Sequence, residues 1–326
     1  MLWKHLMTDP LVSVLIAAWS AETTLDRAID SALAQTVPVE VIVIDDASPD
    51  GTAAIAQARA AADPRLRLLR QTDNQGPGAA RNRGLEIARG AWITVLDSDD
   101  FFCDPDRLAR LTALARAENA QFVADDLWRL EEGALDGPRR RMISETPLGV
   151  TRLDAARFVA GNLSSWRGGR REYGFLKPIM ERRFLRANAL TYAPDIRLGE
   201  DYVLYTQALI AGARFVLTDP VGYAAVVRRG SLSAEHPGAA HKRLVTADRA
   251  LLALPHVDRD TRRALRAHMM EQRKKLAWRQ LIDAKKAADP VAFVRCFLAP
   301  PPVLADLVGK LGKEITLRLG HRLRLR

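Results

Sequence analysis

Apolar runs that stop abruptly in acids constrain this chain more than any other feature. Ile93-Thr94-Val95-Leu96 runs straight into Asp97-Ser98-Asp99-Asp100, and residues 39–44 run into Asp45-Asp46. Short runs rich in β-branched residues read as buried strands, so each delivers negative charge to the edge of a core. Carboxylates this close repel one another and titrate upward unless a cation or several donors sit among them. Their hard oxygen atoms suit Mg²⁺ or Mn²⁺. The plainer reading, ordinary strand-end or turn acids, competes most strongly at Asp45-Asp46. It is weaker at Asp97 to Asp100, because Asp104, ahead of Pro105, already caps the helix that follows.

The runs recur in a fixed rhythm. Strand patterns at 11–17, 39–44, 66–69 and 92–96 alternate with helical patterns. The first helical pattern covers 23–35, with Leu25, Ile29, Ala32 and Leu33 on one face. The second is alanine-rich and follows the turn Ser48-Pro49-Asp50-Gly51; the third ends near residue 88, before Gly90. Such alternation predicts an α/β fold, a central mainly parallel sheet flanked by helices. Ligands of such sheets bind beyond the carboxyl ends of the strands. Trp19-Ser20, Asp45-Asp46 and Asp97 to Asp100 all fall there.

Further along, a helix to 118 and a strand at 121–124 are expected, then a charged loop at 131–141. Residues 151–190 have few clear periods and include a loop at Trp166 to Arg171. Gly199-Glu200-Asp201 opens a helix that Gly212 ends, a short strand covers 215–217, and 228–237 reads as a loop. Beyond 240 the pattern is helical, interrupted at Asp289-Pro290 and at Pro300-Pro301-Pro302.

Charge divides the chain differently. The formal net charge is +10, yet residues 241–326 hold 20 Lys+Arg against 8 Asp+Glu, while residues 1–240 hold 29 against 31. A near-neutral body with a basic helical C-terminal extension follows, and anionic lipid or nucleic acid are the partners such a tail suits. Nucleic acid is the weaker of the two, because no aromatic-interleaved basic surface or nucleic-acid motif is present. Two cysteines, Cys103 and Cys296, exclude a disulfide framework and fit a reducing compartment. The first residues lack a signal-peptide core and no run is long enough to span a bilayer. The expected location is the cytoplasm, with peripheral attachment to the inner face of its membrane.

Nicotinamide and flavin sites want Gly-x-Gly-x-x-Gly after the first strand, where this chain has Ala17-Ala18-Trp19-Ser20. Gly76-Pro77-Gly78-Ala79-Ala80-Arg81 lacks the third glycine, and no phosphate-binding Gly-x-x-x-x-Gly-Lys-Ser/Thr occurs. A different set of motifs is present in order: Val12-Ser13-Val14-Leu15-Ile16-Ala17-Ala18-Trp19, Val41-Ile42-Val43-Ile44-Asp45-Asp46-Ala47-Ser48-Pro49-Asp50-Gly51-Thr52, Asn74-Gln75-Gly76-Pro77-Gly78-Ala79-Ala80-Arg81-Asn82-Arg83-Gly84 and Leu96-Asp97-Ser98-Asp99-Asp100. Together these resemble the family 2 glycosyltransferases, inverting enzymes of GT-A fold that use nucleotide sugars. Gly199-Glu200-Asp201 resembles the family's later acidic motif. The resemblance implies a GT-A domain over 1–238, with a nucleotide-sugar half at 11–100 and an acceptor half at 101–238, followed by an extension at 239–326.

It further implies that Ala17 and Trp19, where the family usually has Tyr, line a uracil site, and that Asp46 accepts from the base with Asp45 nearby. Arg81 would lie near the diphosphate or sugar, with Asp97 and Ser98 beside it. Asp99 and Asp97 would hold Mn²⁺ or Mg²⁺; separately from the resemblance, His236 in the loop at 228–237 is a candidate to reach the diphosphate or the metal. Asp201, beside Glu200, would be the general base. The implied partners are a UDP-sugar donor and a glycan or lipid-linked oligosaccharide acceptor in exopolysaccharide or cell-envelope assembly.

Each assignment has a plainer rival. Glu200 and Asp201 also read as first-turn acids favoured by the helix dipole, worth about 0.3–1 kcal/mol. His236 also reads as a solvent-exposed loop residue. Arg228 and Arg229 are further candidates for diphosphate contacts. From Val303, Leu304, Leu307, Val308, Leu311 and Ile315 share a face that suits either an anionic membrane interface or packing on the protein's own domain. A nucleotidyltransferase is the rival enzyme, although its basic glycine-rich loop after the first strand is missing.

Overall fold

The computed structural model describes residues 12–164, 171–227 and 238–323; of the side chains beyond residue 314 it describes that of Thr316. The chain opens with β1 (Val12–Ala18), α1 (Leu25–Leu33), β2 (Val39–Asp45), α2 (Thr52–Ala62), β3 (Leu66–Arg70), α3 (Pro77–Ile87) and β4 (Trp92–Val95). Then come β5 (Phe101–Phe102), α4 (Arg107–Glu118), β6 (Phe122–Asp125), β7 (Trp128–Glu131), β8 (Arg140–Arg141), β9 (Thr151–Leu153) and α5 (Ala155–Gly161). Next follow β10 (Ile179–Glu181), α6 (Arg182–Ala187), α7 (Glu200–Ile210), β11 (Phe215–Thr218) and β12 (Tyr223–Val227). Four helices close the chain: α8 (Gly238–Ala253), α9 (Arg259–Lys286), α10 (Pro290–Arg295) with a single 3₁₀ turn at Cys296–Leu298, and α11 (Pro301–Leu323).

Eight strands form one sheet in the order β3-β2-β1-β4-β10-β6-β11-β9, and β5-β12-β7-β8 form a second. The pairs β1 with β2, β1 with β4, and β2 with β3 are parallel, whereas β10 runs antiparallel to both neighbours. Every residue of β2 is buried, and all of β1 but Ala17. Strands covered on both faces are largely apolar, and apart from Ser13, Glu40 and the terminal Asp45 these are. Glu40 is held by Ser13 Oγ at 2.6 Å, the Arg89 backbone N–H at 2.6 Å and Arg89 Nε at 3.1 Å.

Local chemistry places the helices. In α1 the buried positions are Leu25, Ala28, Ile29 and Ala32, one apolar stripe. In α3 a Cβ on Gly84 would stand 3.0 Å from both Ile44 Cδ1 and Leu15 Cδ2. Glycine therefore lets α3 lie directly on the sheet, which carries Arg81, one turn earlier, to the rim.

One helix start is corrected, and the packing around the C-terminal helices bears on two further expectations. Helix α4 begins at Arg107 behind Asp106, which stands two residues after Asp104; the Asp104 carboxylate accepts from the Asp106 N–H at 2.8 Å, and its carbonyl accepts from both the Arg107 N–H and Gln35 Nε2. The boundary expected at residue 238 does not divide the packing. Leu244 and Leu251 of α8, with Ala264 and Leu265 of α9, belong to the same apolar cluster as Phe158, Tyr205 and Phe215. In α11 the buried face is Val303 and Leu307, packed on Ala277 and Leu281 of α9, whereas Val308 is 55% exposed. Among the described residues no helix is long and apolar enough to cross a membrane.

Candidate active site

Because β1, β2 and β4 are mutually parallel, their carboxyl ends open on one rim. Leu96 continues β4 by donating to the Leu15 carbonyl, and the chain then turns outward at Asp97. From the other side, Gly199 in a left-handed conformation (φ 80°) starts α7 and points its first turn at the same place.

The two halves meet in a buried ionic cluster. Arg81 NH2 lies 2.8 Å from Asp97 Oδ1, and its NH1 lies 2.8 Å from Glu200 Oε1 and 3.2 Å from Asp201 Oδ1. Lys177 Nζ bridges Asp201 Oδ2 at 2.8 Å and Asp97 Oδ2 at 3.1 Å. Tyr205 Oη lies 3.2 Å from the Leu176 carbonyl and 3.4 Å from Asp201 Oδ1, and the Tyr192 ring lies 5.4 Å below the Arg81 guanidinium. Arg81, Lys177, Glu200 and Asp201 are all buried, while the Asp97 side chain keeps 31% exposure. Asp97 therefore marks the solvent opening.

The electrostatics follow from these contacts. Burial works against charge on Asp97, but Lys177 and Arg81 outweigh it and hold the carboxyl down at about 2. Burial raises Glu200, with Asp201 adding to the effect and Arg81 opposing it. Asp100 is pushed well above the usual range by burial and by the charges of Asp97 and Asp99. It bonds to Tyr223 Oη at 2.9 Å and to the Val226 N–H at 2.8 Å, so it braces the rim.

Other expected residues have separate surroundings. Trp19 lies at the rim, 47% exposed, and Ala17 is half-buried at the end of β1. Asp45 is fully buried, near the Ser48 N–H and Arg70 Nε. Asp46 spends its carboxylate on the loop before α3, accepting from the Gln75 N–H at 2.8 Å, the Gly76 N–H at 2.7 Å and Gln71 Nε2. Neither joins the ionic cluster. Ser98 and Asp99 are half-buried on the rim, with the Asp99 carbonyl accepting from Arg27 NH2 at 2.7 Å. His236, Arg228 and Arg229 lie outside the described residues, as does most of the loop expected at Trp166 to Arg171.

Sequence reasoning missed Lys177. A signal was available: a lone lysine inside the apolar run Phe175-Leu176-Lys177-Pro178-Ile179-Met180 must be paired if it is buried.

Among the described residues no three His, Cys, Asp or Glu side chains are grouped to hold a metal ion. Asp97 and Asp99 share the rim, two carboxylates of the kind Mg²⁺ or Mn²⁺ takes beside substrate phosphate oxygens, and here Arg81 and Lys177 hold both Asp97 oxygens.

Comparison with known proteins agrees with this architecture. Residues 13–174 match the model of glycosyl transferase family 2. The succinoglycan biosynthesis protein ExoU of Rhizobium meliloti is 40% identical over 313 residues, covering 94% of this chain and 88% of that protein. Among solved structures, S. aureus TarS 1–349 in complex with UDP-GlcNAc superposes with a TM-score of 0.61 at 18% identity, covering 92% of this chain and 84% of that one. The mannosyltransferase PcManGT from Pyrobaculum calidifontis, in complex with GDP-Man and Mn²⁺, gives 0.57 at 17% identity, covering 94% and 88%. With a GT-A sheet, this rim and a relative of that identity along nearly its whole length, the chain belongs to glycosyltransferase family 2.

Proposed function

We propose that this glycosyltransferase moves a sugar, with inversion, from a UDP-sugar to a hydroxyl of a glycan or lipid-linked acceptor in exopolysaccharide or cell-envelope assembly. The observation that carries the reading is the cluster of Arg81, Lys177, Asp97, Glu200 and Asp201 at the carboxyl ends of the strands. The succinoglycan role in the name of the relative supports the pathway class, and the UDP-GlcNAc complex of TarS supports the donor class.

Transfer forms a bond from the acceptor oxygen to the anomeric carbon and breaks the bond from that carbon to the phosphate oxygen, whose electron pair leaves with UDP. The acceptor proton goes to Asp201 as general base, on the face opposite the leaving group. Arg81 and Lys177 supply N–H donors to the diphosphate as charge grows on it. Trp19 and Asp46 flank the base, Asp46 by shaping the loop 71–76.

Charge accounting favours metal assistance. Asp97, Glu200 and Asp201 against Arg81 and Lys177 leave one negative charge, and an incoming diphosphate adds at least two more. Mn²⁺ or Mg²⁺, held by Asp99 and Asp97, would neutralise charge on the leaving diphosphate. His236 is a further candidate ligand.

A lipid-linked acceptor would favour a position at the inner face of the cytoplasmic membrane. The apolar face expected of α11 packs largely on α9, but Val291 (59% exposed), Val294 (62%) and Leu298 (82%) line the outside of α10 and the turn after it. Lys285, Lys286 and Arg295 are exposed close by in the chain. Apolar side chains among cations suit an anionic bilayer surface.

The test is release of UDP from a panel of nucleotide sugars with and without Mn²⁺. Asp201→Asn should remove turnover and keep UDP binding. Pyrophosphate release, or full activity of the Asp201→Asn protein, would overturn the assignment.

A further inference from the structure

Both carboxylate oxygens of Asp201 are already engaged by cations. Oδ1 is held by Arg81 and Oδ2 by Lys177. The same two cations also hold Asp97, so Asp97 and Asp201 are cross-linked through them, with Asp97 facing the opening. Arg81 is not saturated, since its Nε is buried without a hydrogen-bond partner. Buried donors without acceptors are costly, and a guanidinium in this condition favours any site that offers more oxygens.

We infer that Arg81 and Lys177 form an interlock on the base. Without donor they hold Asp201; the donor's diphosphate draws them off, so Asp201 is released once the electrophile is in place. The inference rests on the reading of Asp201 as the base. A diphosphate is the occupant this geometry suits, because it presents several oxygens to a guanidinium fork and an ammonium at once, from the solvent side of Asp97.

Lys177 is mounted for such a shift. Its backbone is fixed, as its carbonyl accepts from Arg107 NH2 at 2.7 Å and the neighbouring Leu176 carbonyl from Tyr205 Oη at 3.2 Å. Its flexible side chain can change partner while the strand behind it stays still. The consequence is an ordered reaction, donor before acceptor, with Lys177 both a diphosphate ligand and a positioning residue.

A double-mutant cycle on UDP affinity tests this, read by calorimetry at saturating Mg²⁺ for wild type, Asp201→Asn, Lys177→Met and the double variant. Freed cations in Asp201→Asn should tighten UDP by about tenfold, and Lys177→Met should weaken it by a similar factor. In the Lys177→Met background the gain from Asp201→Asn should shrink below about threefold, because the two residues are coupled. Uridine, which lacks the diphosphate, should bind all four proteins alike; a distorted pocket would move uridine too. An equal gain from Asp201→Asn in both backgrounds means a bare charge effect and overturns the interlock, as does no gain at all. Wild type that binds neither UDP nor GDP overturns the donor reading and the interlock together. Binding of GDP alone overturns the UDP assignment, and the cycle then runs with GDP. Lys177→Met leaves Asp201 a partner short, so a thermal melt accompanies it; Lys177→Gln, whose amide still donates, takes its place if the methionine protein does not fold.

Discussion

Removing Arg81 tests the cluster as a physical object. The Arg81→Met side chain keeps comparable apolar volume but deletes bonds to Asp97, Glu200 and Asp201. Lys177 still serves Asp97 and Asp201, so Glu200 loses its charge partner in a buried setting. Breaking a buried pair from one side costs about 3–5 kcal/mol, which should lower the melting temperature by on the order of 5–10 °C. The deficit should depend on pH with a definite sign. Burial already raises Glu200 and Arg81 opposes that rise, so the variant's carboxyl is raised further. A carboxyl raised in the folded state is tolerated below its unfolded value and costs stability as pH rises through the folded one. The gap between variant and wild type is therefore wider near pH 8 than near pH 5, because a raised carboxyl is closer to its neutral form on the acid side. Urea midpoints at the two pH values measure it. Equal midpoints at pH 8, or a gap that widens in acid, would refute the ionic reading.

Three other perturbations separate the remaining roles. Asp99→Ala should lower metal-dependent UDP release at least about a hundredfold; wild-type turnover indifferent to chelator sinks the metal assignment. Asp46→Ala strips acceptors from the Gln75 and Gly76 N–H groups and should cost about 2–4 kcal/mol, with uridine affinity falling as well, so an unchanged melt rejects its role as the loop's anchor. Leu298→Asp should cut sedimentation with anionic vesicles about tenfold and leave UDP release from a soluble acceptor intact; undiminished sedimentation removes α10 from the membrane reading.

Legibility followed the range of the interactions. Strands β1, β2 and β4 could be read because burial on both faces forces a continuous apolar run, and the acids that end them mark the rim. Asp97 and Arg81 were legible as members of motifs, but their mutual contact was not. Lys177 escaped because its partners lie 24 and 80 positions away, at Asp201 and Asp97. No local period encodes such a pairing. The start of α4 was misplaced for a related reason. Asp104 does accept from the Asp106 N–H, yet bonds from Gln35 and Thr36 of a distant loop hold Asp104-Pro105 in a turn ahead of the helix. The apolar face of α11 was legible but its partner was not, because helical periodicity reports an apolar stripe without naming what covers it.

The C-terminal helices change how the acidic motif should be understood. Successive residues on a helix project about 100° apart, so when Asp201 faces the rim, Tyr202 faces away, toward α8 and α9. There Tyr202 Oη donates to Asp248 Oδ1 at 2.9 Å, and Asp248 Oδ2 meets His268 Nδ1 at 2.8 Å. Gln272 continues the chain, with Nε2 3.1 Å from His268 Nε2 and Oε1 2.8 Å from His241 Nδ1. Every member of this network is buried, and the Tyr202 ring packs 4.3 Å from that of His268. A buried polar chain satisfied end to end fixes one arrangement of its helices, since any other leaves a donor or acceptor unpaired. Helix α7 is thus pinned from behind by the segment that composition alone marked as a separable basic tail. The position of Asp201 against Arg81 and Lys177 depends on that anchorage as much as on the sheet in front of it.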